Sequence, residues 1–447
     1  MGAEQQYIDL FRQHETDISR HSMPLMNALR AKAFDDFCQQ GFPTNKIESY
    51  RHTDVSTFFE PDYGMNINRV NFPVTPSEVF QCDVPNMSTS LFFVLNDAFY
   101  DKAIPKSTLP SGVFFGSLNQ FVQLHPGVAE KYYGKLADTA KDGLVAFNTT
   151  FVQDGVVLYV PKGAIVERPI QLINLLRSDV DLMVNRRILV IIEDNAQARL
   201  LICDHSMDKV NFLSTQVTEV FVGNRSVFDL YELEETGEQT VRTSNLYLRQ
   251  EADSDVLLNG MTLYNGQTRN TAEVTLAGKG ARINLCGMVI ADKEQHVDNC
   301  TKIDHAVPQC TSNELYKYVL DGKAVGVFSG LVLVRPDAQK TNSLETNRNL
   351  CATKEARMYT QPQLEIYADD VKCSHGATVG QLDENALFYM RQRGITEREA
   401  RLLLMFAFVN EVIDTIRLDA LKERLHMLVE KRFRGELNHC GGCHKCR

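Results

Sequence analysis

Two hydrophobic periods alternate along this 447-residue chain. Met23 to Phe37 (MPLMNALRAKAFDDF) spaces its apolar side chains at helical intervals, and Gly41 and Pro43 stop the pattern. Residues 1 to about 60 are therefore expected to be helical. Between about 65 and 140, short apolar runs are interrupted by Pro and Gly, which reads as a loosely patterned linking region. From Gly143 to Ala368 the period shortens. β-Branched runs recur at Val156–Val160, Ile188–Ile192, Val217–Val222, Val256–Leu258 and Val325–Val334. No stretch among them carries the long helical pattern that a βαβ crossover needs, so the region is expected to be strand and turn throughout.

Turn units echo within that region. Glu193-Asp194-Asn195, Gly223-Asn224, Glu251-Ala252-Asp253 and Gly278-Lys279-Gly280 lie about 28 residues apart, each followed by a strand-like run. A period of this size signals stacked units that bury their faces only against neighbours. A parallel β-helix satisfies it; a β-sandwich or a pair of barrels competes on periodicity alone.

After Gly376 the helical period returns. Asp383 to Gln392 forms one candidate helix, ended by Gly394. Thr396-Glu397-Arg398-Glu399 reads as a capping box. It opens a helix from about 397 to 416 with Ala400, Leu403, Leu404, Ala407, Phe408, Val412 and Ile413 on a wide apolar stripe. A further amphipathic helix, from about 418 to 433, carries Leu418, Leu421, Leu425 and Leu428.

Composition narrows the class. The chain is 44% hydrophobic and 23% charged, which excludes a disordered or collagenous protein. A net charge of -10 argues against nucleic-acid binding through a broad basic face. The start, MGAEQQYIDLFRQHETDISR, lacks the pattern of a signal peptide, and the longest helical apolar run, Leu402 to Val409, is far short of a membrane span. A cytoplasmic protein with no integral membrane segment is expected, and its 11 cysteines are then expected to be reduced rather than a disulfide framework.

Three constellations carry candidate chemistry. The tail places Cys440, Cys443 and Cys446 in a C-x2-C-x2-C run flanked by His439 and His444, a spacing that lets thiolates converge on zinc or an iron-sulfur cluster. Lys445 and Arg447 favour the thiolate there; a flexible tail with adventitious metal affinity is the competing reading. In the second, Cys373 and His375 stand two apart, so on a strand they share a face and could hold one ligand together. The third, Asp298, Cys300, Asp304, His305 and Cys310, is a weak metal candidate that needs a turn at Pro308 to fold the chain back. No Walker A segment, G-x-S-x-G, H-E-x-x-H or dinucleotide fingerprint occurs.

Several of these segments carry a family likeness. Pro362 to Gln381 (PQLEIYADDVKCSHGATVGQ) with Leu387 to Ile395 (LFYMRQRGI) resembles the SufD branch of the SufB/SufD family of iron-sulfur cluster assembly scaffold subunits. The likeness extends to His296–Lys317 (HVDNCTKIDHAVPQCTSNELYK), Phe328–Asn349 (FSGLVLVRPDAQKTNSLETNRN), Tyr159–Gly163 and Gly41–Glu48 (GFPTNKIE).

The resemblance implies a mainly β chain: a right-handed parallel β-helix core flanked by N-terminal and C-terminal helical domains. On this sequence the expected boundaries are 1–95 (mostly helical), 96–376 (β-helix with its lead-in), 377–434 (helical) and 435–447 (Cys/His-rich tail). It further implies a noncatalytic subunit that supports cluster assembly and iron acquisition. A SufB-like paralogue would pair through the β-helix and a SufC-like ATPase would dock on the C-terminal helices, with a homodimer possible for the isolated chain. The cofactor implied is a transient iron-sulfur cluster shared with the SufB-like partner, none being tightly bound by the chain alone. The histidine of the CSHGAT motif, His375 in this chain, would hold the nascent cluster at that interface, with Cys373 beside it. The Cys440/Cys443/Cys446 tail departs from the family's pattern. Two alternatives stay open: a purely structural solenoid, and a carbohydrate-active β-helix enzyme, which needs a facing carboxylate pair that the adjacent Asp369 and Asp370 would not make on a regular strand.

Overall fold

The computed structural model describes residues 3–70, 89–100 and 109–436. Helices α1 (Ala3–Arg20) and α2 (Pro24–Gln40) come first, then β1 (Gly64–Met65), β2 (Ser90–Leu95), β3 (Ala98–Tyr100) and β4 (Phe114–Ser117). Helices α3 (Leu118–Leu124), α4 (Pro126–Tyr132) and α5 (Gly143–Phe151) follow. Next come β5 (Val156–Val160), β6 (Ile170–Leu176), β7 (Leu182–Ile192), β8 (Gln197–Ser206), β9 (Phe212–Val222) and β10 (Val227–Glu235). The chain continues through β11 (Thr240–Gln250), β12 (Asp255–Tyr264), β13 (Gln267–Leu276), β14 (Arg282–Ala291) and β15 (His296–His305). The last strands are β16 (Thr311–Leu320), β17 (Val325–Val334), β18 (Asn342–Cys351), β19 (Arg357–Ile366) and β20 (Lys372–Gly380). Helices α6 (Glu384–Gln392), α7 (Glu397–Asp414) and α8 (Asp419–Arg434) close the described chain.

Alternate strands build two facing sheets. One runs β19-β17-β15-β13-β11-β9-β7-β5-β4; the other runs β20-β18-β16-β14-β12-β10-β8-β6-β2-β3. Each strand from β5 to β18 therefore pairs, in parallel, with the strand two further along, and the chain winds as a β-solenoid of about eight turns. This is the expected parallel β-helix with helices at both ends.

The echoed turn units are the corners of the coil. Asn195, Arg225, Asp253 and Gly280 all have positive φ, as do Gln309 and Lys340 at the same corner of later turns. A left-handed residue turns the backbone sharply enough to start the next sheet. Corner stacks on corner: Asn195 N–H donates to Asn224 O at 2.8 Å, Arg225 N–H to Ala252 O at 2.8 Å, and Asp253 N–H to Lys279 O at 3.0 Å.

Strand alternation sends one row of side chains into the coil and the other outward. The inner rows stack Leu200, Leu230, Leu258 and Leu285 on one sheet against Val190, Val220, Leu248 and Val274 on the other. Each such fully buried side chain contributes about 1.5–3 kcal/mol of transfer free energy. The outer face of the β6–β18 sheet is covered by α7 and α8, whose Val409, Val412, Ile413, Leu421, Leu425 and Val429 pack on Leu201, Leu257, Met261 and Met288. Arg417 pins the junction between those helices, donating to Asp229 at 3.0 Å and Asp255 at 2.9 Å. Arg432 fixes the end of α8 to Asp292 with two bonds of 2.9 Å.

Several local expectations are corrected. The region from Gly143 opens not with a strand but with α5, every residue of which is buried. The linking region contains β2, β3 and β4, which extend the sheets, and two short helices. The capping box is half formed: Thr396 accepts from Glu399 N–H at 3.3 Å, but the Glu399 carboxylate turns to Arg434. Leu403, expected on the buried stripe of α7, faces out at 43% exposure.

Candidate functional site

The two ends of the coil differ. At the first, short strands end the sheets: β3 runs antiparallel to β2, and β4 antiparallel to β5. At the other, β19 and β20 are the last strands of their sheets, and β20 is exposed along nearly its whole length. Leu344, Tyr359, Ile366, Tyr367 and Val379 are large apolar side chains exposed at this end. An uncovered edge of this kind presents unpaired N–H and C=O groups to a partner.

The CSHGAT segment is that edge. β20 pairs in regular parallel register with β18, placing Cys373 beside Ser343 and His375 beside Glu345. The register is unbroken, so Cys373 and His375 lie in one row. They differ in access. Cys373 is half-buried, packs against Val332, Val334, Ala338 and Ala368, and has its thiol pKa raised by burial. His375 is exposed.

Beneath His375 the inner row is acidic. Glu345 on β18 pairs with Glu314 on β16. Both are buried, at 0% and 1% exposure, and none of their four carboxylate oxygens has a hydrogen-bond partner among the described residues. Burial raises both pKa values, and the charge of Glu314 adds to the effect on Glu345. Alternation in NELYKY and SLETN gives an acid no inward direction, so these two glutamates do not stand out in the sequence. The signal that finds them is the repeat itself: they occupy the same place in consecutive turns, on the rows that carry Tyr316 and Asn347 inward.

The third constellation is dispersed. Asp298 pairs with Arg269 at 2.6 Å and accepts from Thr53 at 2.5 Å. Asp304 pairs with Arg335. His305 bonds Ser312 at 2.9 Å on the inner side, and the Cys310 thiol donates to Gly278 O at 3.3 Å. Cys300 sits under the segment Gly41–Glu48, in a cleft of about 560 Å³ that Tyr50, Arg269, Glu273 and Lys302 also line; burial raises its thiol pKa and Arg269 opposes that. Asp369 and Asp370 lie in the bend between β19 and β20 rather than on a strand. Cys440, Cys443 and Cys446 lie outside the described residues. Among the described residues, no three His, Cys, Asp or Glu side chains converge as a preformed metal cage, and no helix is long and apolar enough to cross a membrane.

The C-terminal helices leave an apolar strip uncovered. Leu402, Leu403, Phe406 and Phe433 line a hollow of about 220 Å³ rimmed by Glu399, Glu430 and Arg434. Phe388 and Tyr389 of α6 are 62% and 57% exposed.

Family comparison covers both parts of the chain. The model described as SUF system FeS cluster assembly, SufBD core domain, matches residues 175–408, and that of the SufBD protein N-terminal region matches residues 1–172. An iron-sulfur cluster assembly SufBD family protein of Synechocystis is 29% identical over 400 residues, 87% of each chain. The SufD protein of Escherichia coli is 35% identical over 183 residues, 41% of this chain and 43% of that protein. The SufD protein of Bacillus subtilis is 24% identical over 359 residues, 79% of this chain and 81% of that one.

Proposed function

We propose, from the premise that the chain belongs to the SufBD family of iron-sulfur cluster assembly proteins, that it is a SufD-like scaffold subunit with no reaction of its own to catalyse. The observation that carries this reading is the open end of the solenoid, where His375 stands exposed on the last strand. A SufB-like paralogue pairs with the exposed ends of β19 and β20, continuing the sheets across the junction. The cluster is cargo there. His375 offers an imidazole and Cys373 a half-buried thiol, so a cluster seated at this edge takes its remaining ligands from the partner. A junction that opens can release such a cargo, which a scaffold requires.

The apolar hollow on α7 and α8, with Phe388 and Tyr389 beside it, suits docking of a SufC-like ATPase, whose motion would be felt at the sheets through the Arg417 and Arg432 anchors. Cys38, Cys286, Cys300, Cys310, Cys351 and Cys373 are free thiols, in keeping with work in the cytoplasm. The C-terminal Cys440/Cys443/Cys446 run is an accessory metal-binding tail outside this mechanism.

The test is co-purification with SufB-like and SufC-like partners, followed by anaerobic iron and sulfide analysis of wild type, His375→Ala and a truncation after Gly435. Wild type and the truncation are expected to load cluster; His375→Ala is expected to assemble the complex and lose loading. Failure of wild type to form any complex would sink the scaffold reading, while normal loading by His375→Ala would remove only the ligand assignment.

A further inference from the structure

The buried acids of the solenoid are answered by arginines almost everywhere. Asp204 faces Arg186 at 2.9 Å and Arg242 at 3.1 Å, Glu219 faces Arg187 at 2.7 Å, and Asp298 faces Arg269 at 2.6 Å. Asp229 faces Arg417 at 3.0 Å, and Glu232 and Glu234 share the field of Arg242. Glu314 and Glu345 break the rule. Burial acts on both, the Thr301 hydroxyl on Glu314 and the charge of Glu314 on Glu345, with no arginine or lysine among these influences. Two buried carboxylates on neighbouring strands, about 4.8 Å apart, cannot both ionise without a counter-charge.

The facing sheet is shaped around them. Thr301 on β15 pairs in register with Gly330 on β17. The Thr301 Oγ1 is buried and has no hydrogen-bond partner among the described residues. A methyl group at Gly330 would fall on the Glu345 Oε1, so this glycine keeps open the space into which the carboxylate reaches. Five unpartnered oxygens, four of carboxylate and one of hydroxyl, thus belong to one region between the sheets, one turn beneath the exposed edge.

We propose that Glu314, Glu345 and Thr301 form a divalent-cation site inside the solenoid, one turn below its open end, for an ion that accepts oxygen ligands, such as ferrous iron or manganese. The ion replaces the proton that the two carboxyls otherwise share; that proton leaves to solvent, and two carboxylates then balance a doubly charged cation. Oxygen ligands of this kind select Mn2+ and Fe2+ over the softer ions that thiolates take. The inference rests on the scaffold reading in one respect: it gives the iron of the cluster a waiting position next to His375.

The test uses the full chain and Mn2+, followed anaerobically by the loss of the free-ion EPR signal. Mn2+ also avoids confusion with the thiol-rich tail. Wild type is expected to bind one Mn2+ that Fe2+ displaces. Glu345→Gln and Glu314→Gln are each expected to weaken it about tenfold or more, and Gly330→Ala to weaken it with no change of charge. The glutamines are isosteric and remove a buried charge, so these variants keep the fold, which unfolding midpoints verify. Absence of a bound ion in wild type, or equal binding by Glu345→Gln, would overturn the site and leave a carboxyl pair that only shares a proton. His375→Ala separates the two readings. It is expected to keep Mn2+ affinity within about twofold while cluster loading falls, and loss of Mn2+ in that variant would overturn a ligand set made of Glu314, Glu345 and Thr301 alone.

Discussion

Glu345 and His305 are both buried on the inner side of the coil, and they set opposite limits on stability. His305 is held neutral, its pKa lowered to about 4 by burial. In the unfolded chain it titrates near 6.5, so the unfolded state binds more protons between those values, and stability is lost as pH falls through that window. Glu345 works the other way: burial and Glu314 push its pKa up, to about 9. The folded state then holds the extra proton, and stability falls as pH rises from the ordinary carboxylate range toward that value. Without added metal, Glu345→Gln is therefore expected to raise the unfolding free energy by about 1–3 kcal/mol at pH 8 and to change little at pH 4.5, measured by denaturant titration. A variant no more stable at pH 8 than wild type would mean that the pair is compensated by a group other than those facing it.

Element by element, the strands were the most legible part of the sequence and the helices the least even. Val156–Val160 and Val325–Val334 are strands with those bounds, because β-branched runs between polar turns leave few alternatives. The corners were legible through their period, since every turn needs a residue that tolerates positive φ. Helix α5 escaped because a helix buried on all sides has no polar face to reveal its period. CSHGAT was found through family likeness and alternation, whereas the acids beneath it become visible only when turns are stacked in register. That edge strand also yields a prediction. Lys372 N–H donates to Thr341 O, so alternate residues of β20 direct their backbone toward β18 and the intervening ones, Ala377 among them, away from it. Ala377→Pro removes an outward donor while leaving the β18 ladder intact. It is expected to hold its unfolding midpoint within a few degrees yet weaken binding of a SufB-like partner at least tenfold by calorimetry. Unchanged affinity would place the partner elsewhere.

For the molecule as a whole, the two ends of the coil decide how it associates. The first end finishes in the short antiparallel strands β3 and β4, the outer face of one sheet is covered by α7 and α8, and the ten-residue β19 and nine-residue β20 end the parallel stack at the other side. In the absence of its partner, the isolated chain is expected to pair with a second copy through those edges. Light scattering over a hundredfold range of concentration should then show a mass that rises from one chain toward two and stops there. Continued growth would show that the first end also pairs.

That asymmetry has a consequence for how a solenoid avoids becoming a fibre. A coil with two adhesive ends polymerises head to tail without limit, as open strand edges do in amyloid. A coil with one adhesive end is a chain terminator for its own kind. Whatever it meets, copy or paralogue, the first encounter uses up its valence. If the proposed pairing through β19 and β20 holds, the antiparallel strands β3 and β4, minor parts of the fold by length, are expected to act as the stop codon of assembly, holding it at two chains before any side chain at the junction has chosen its partner.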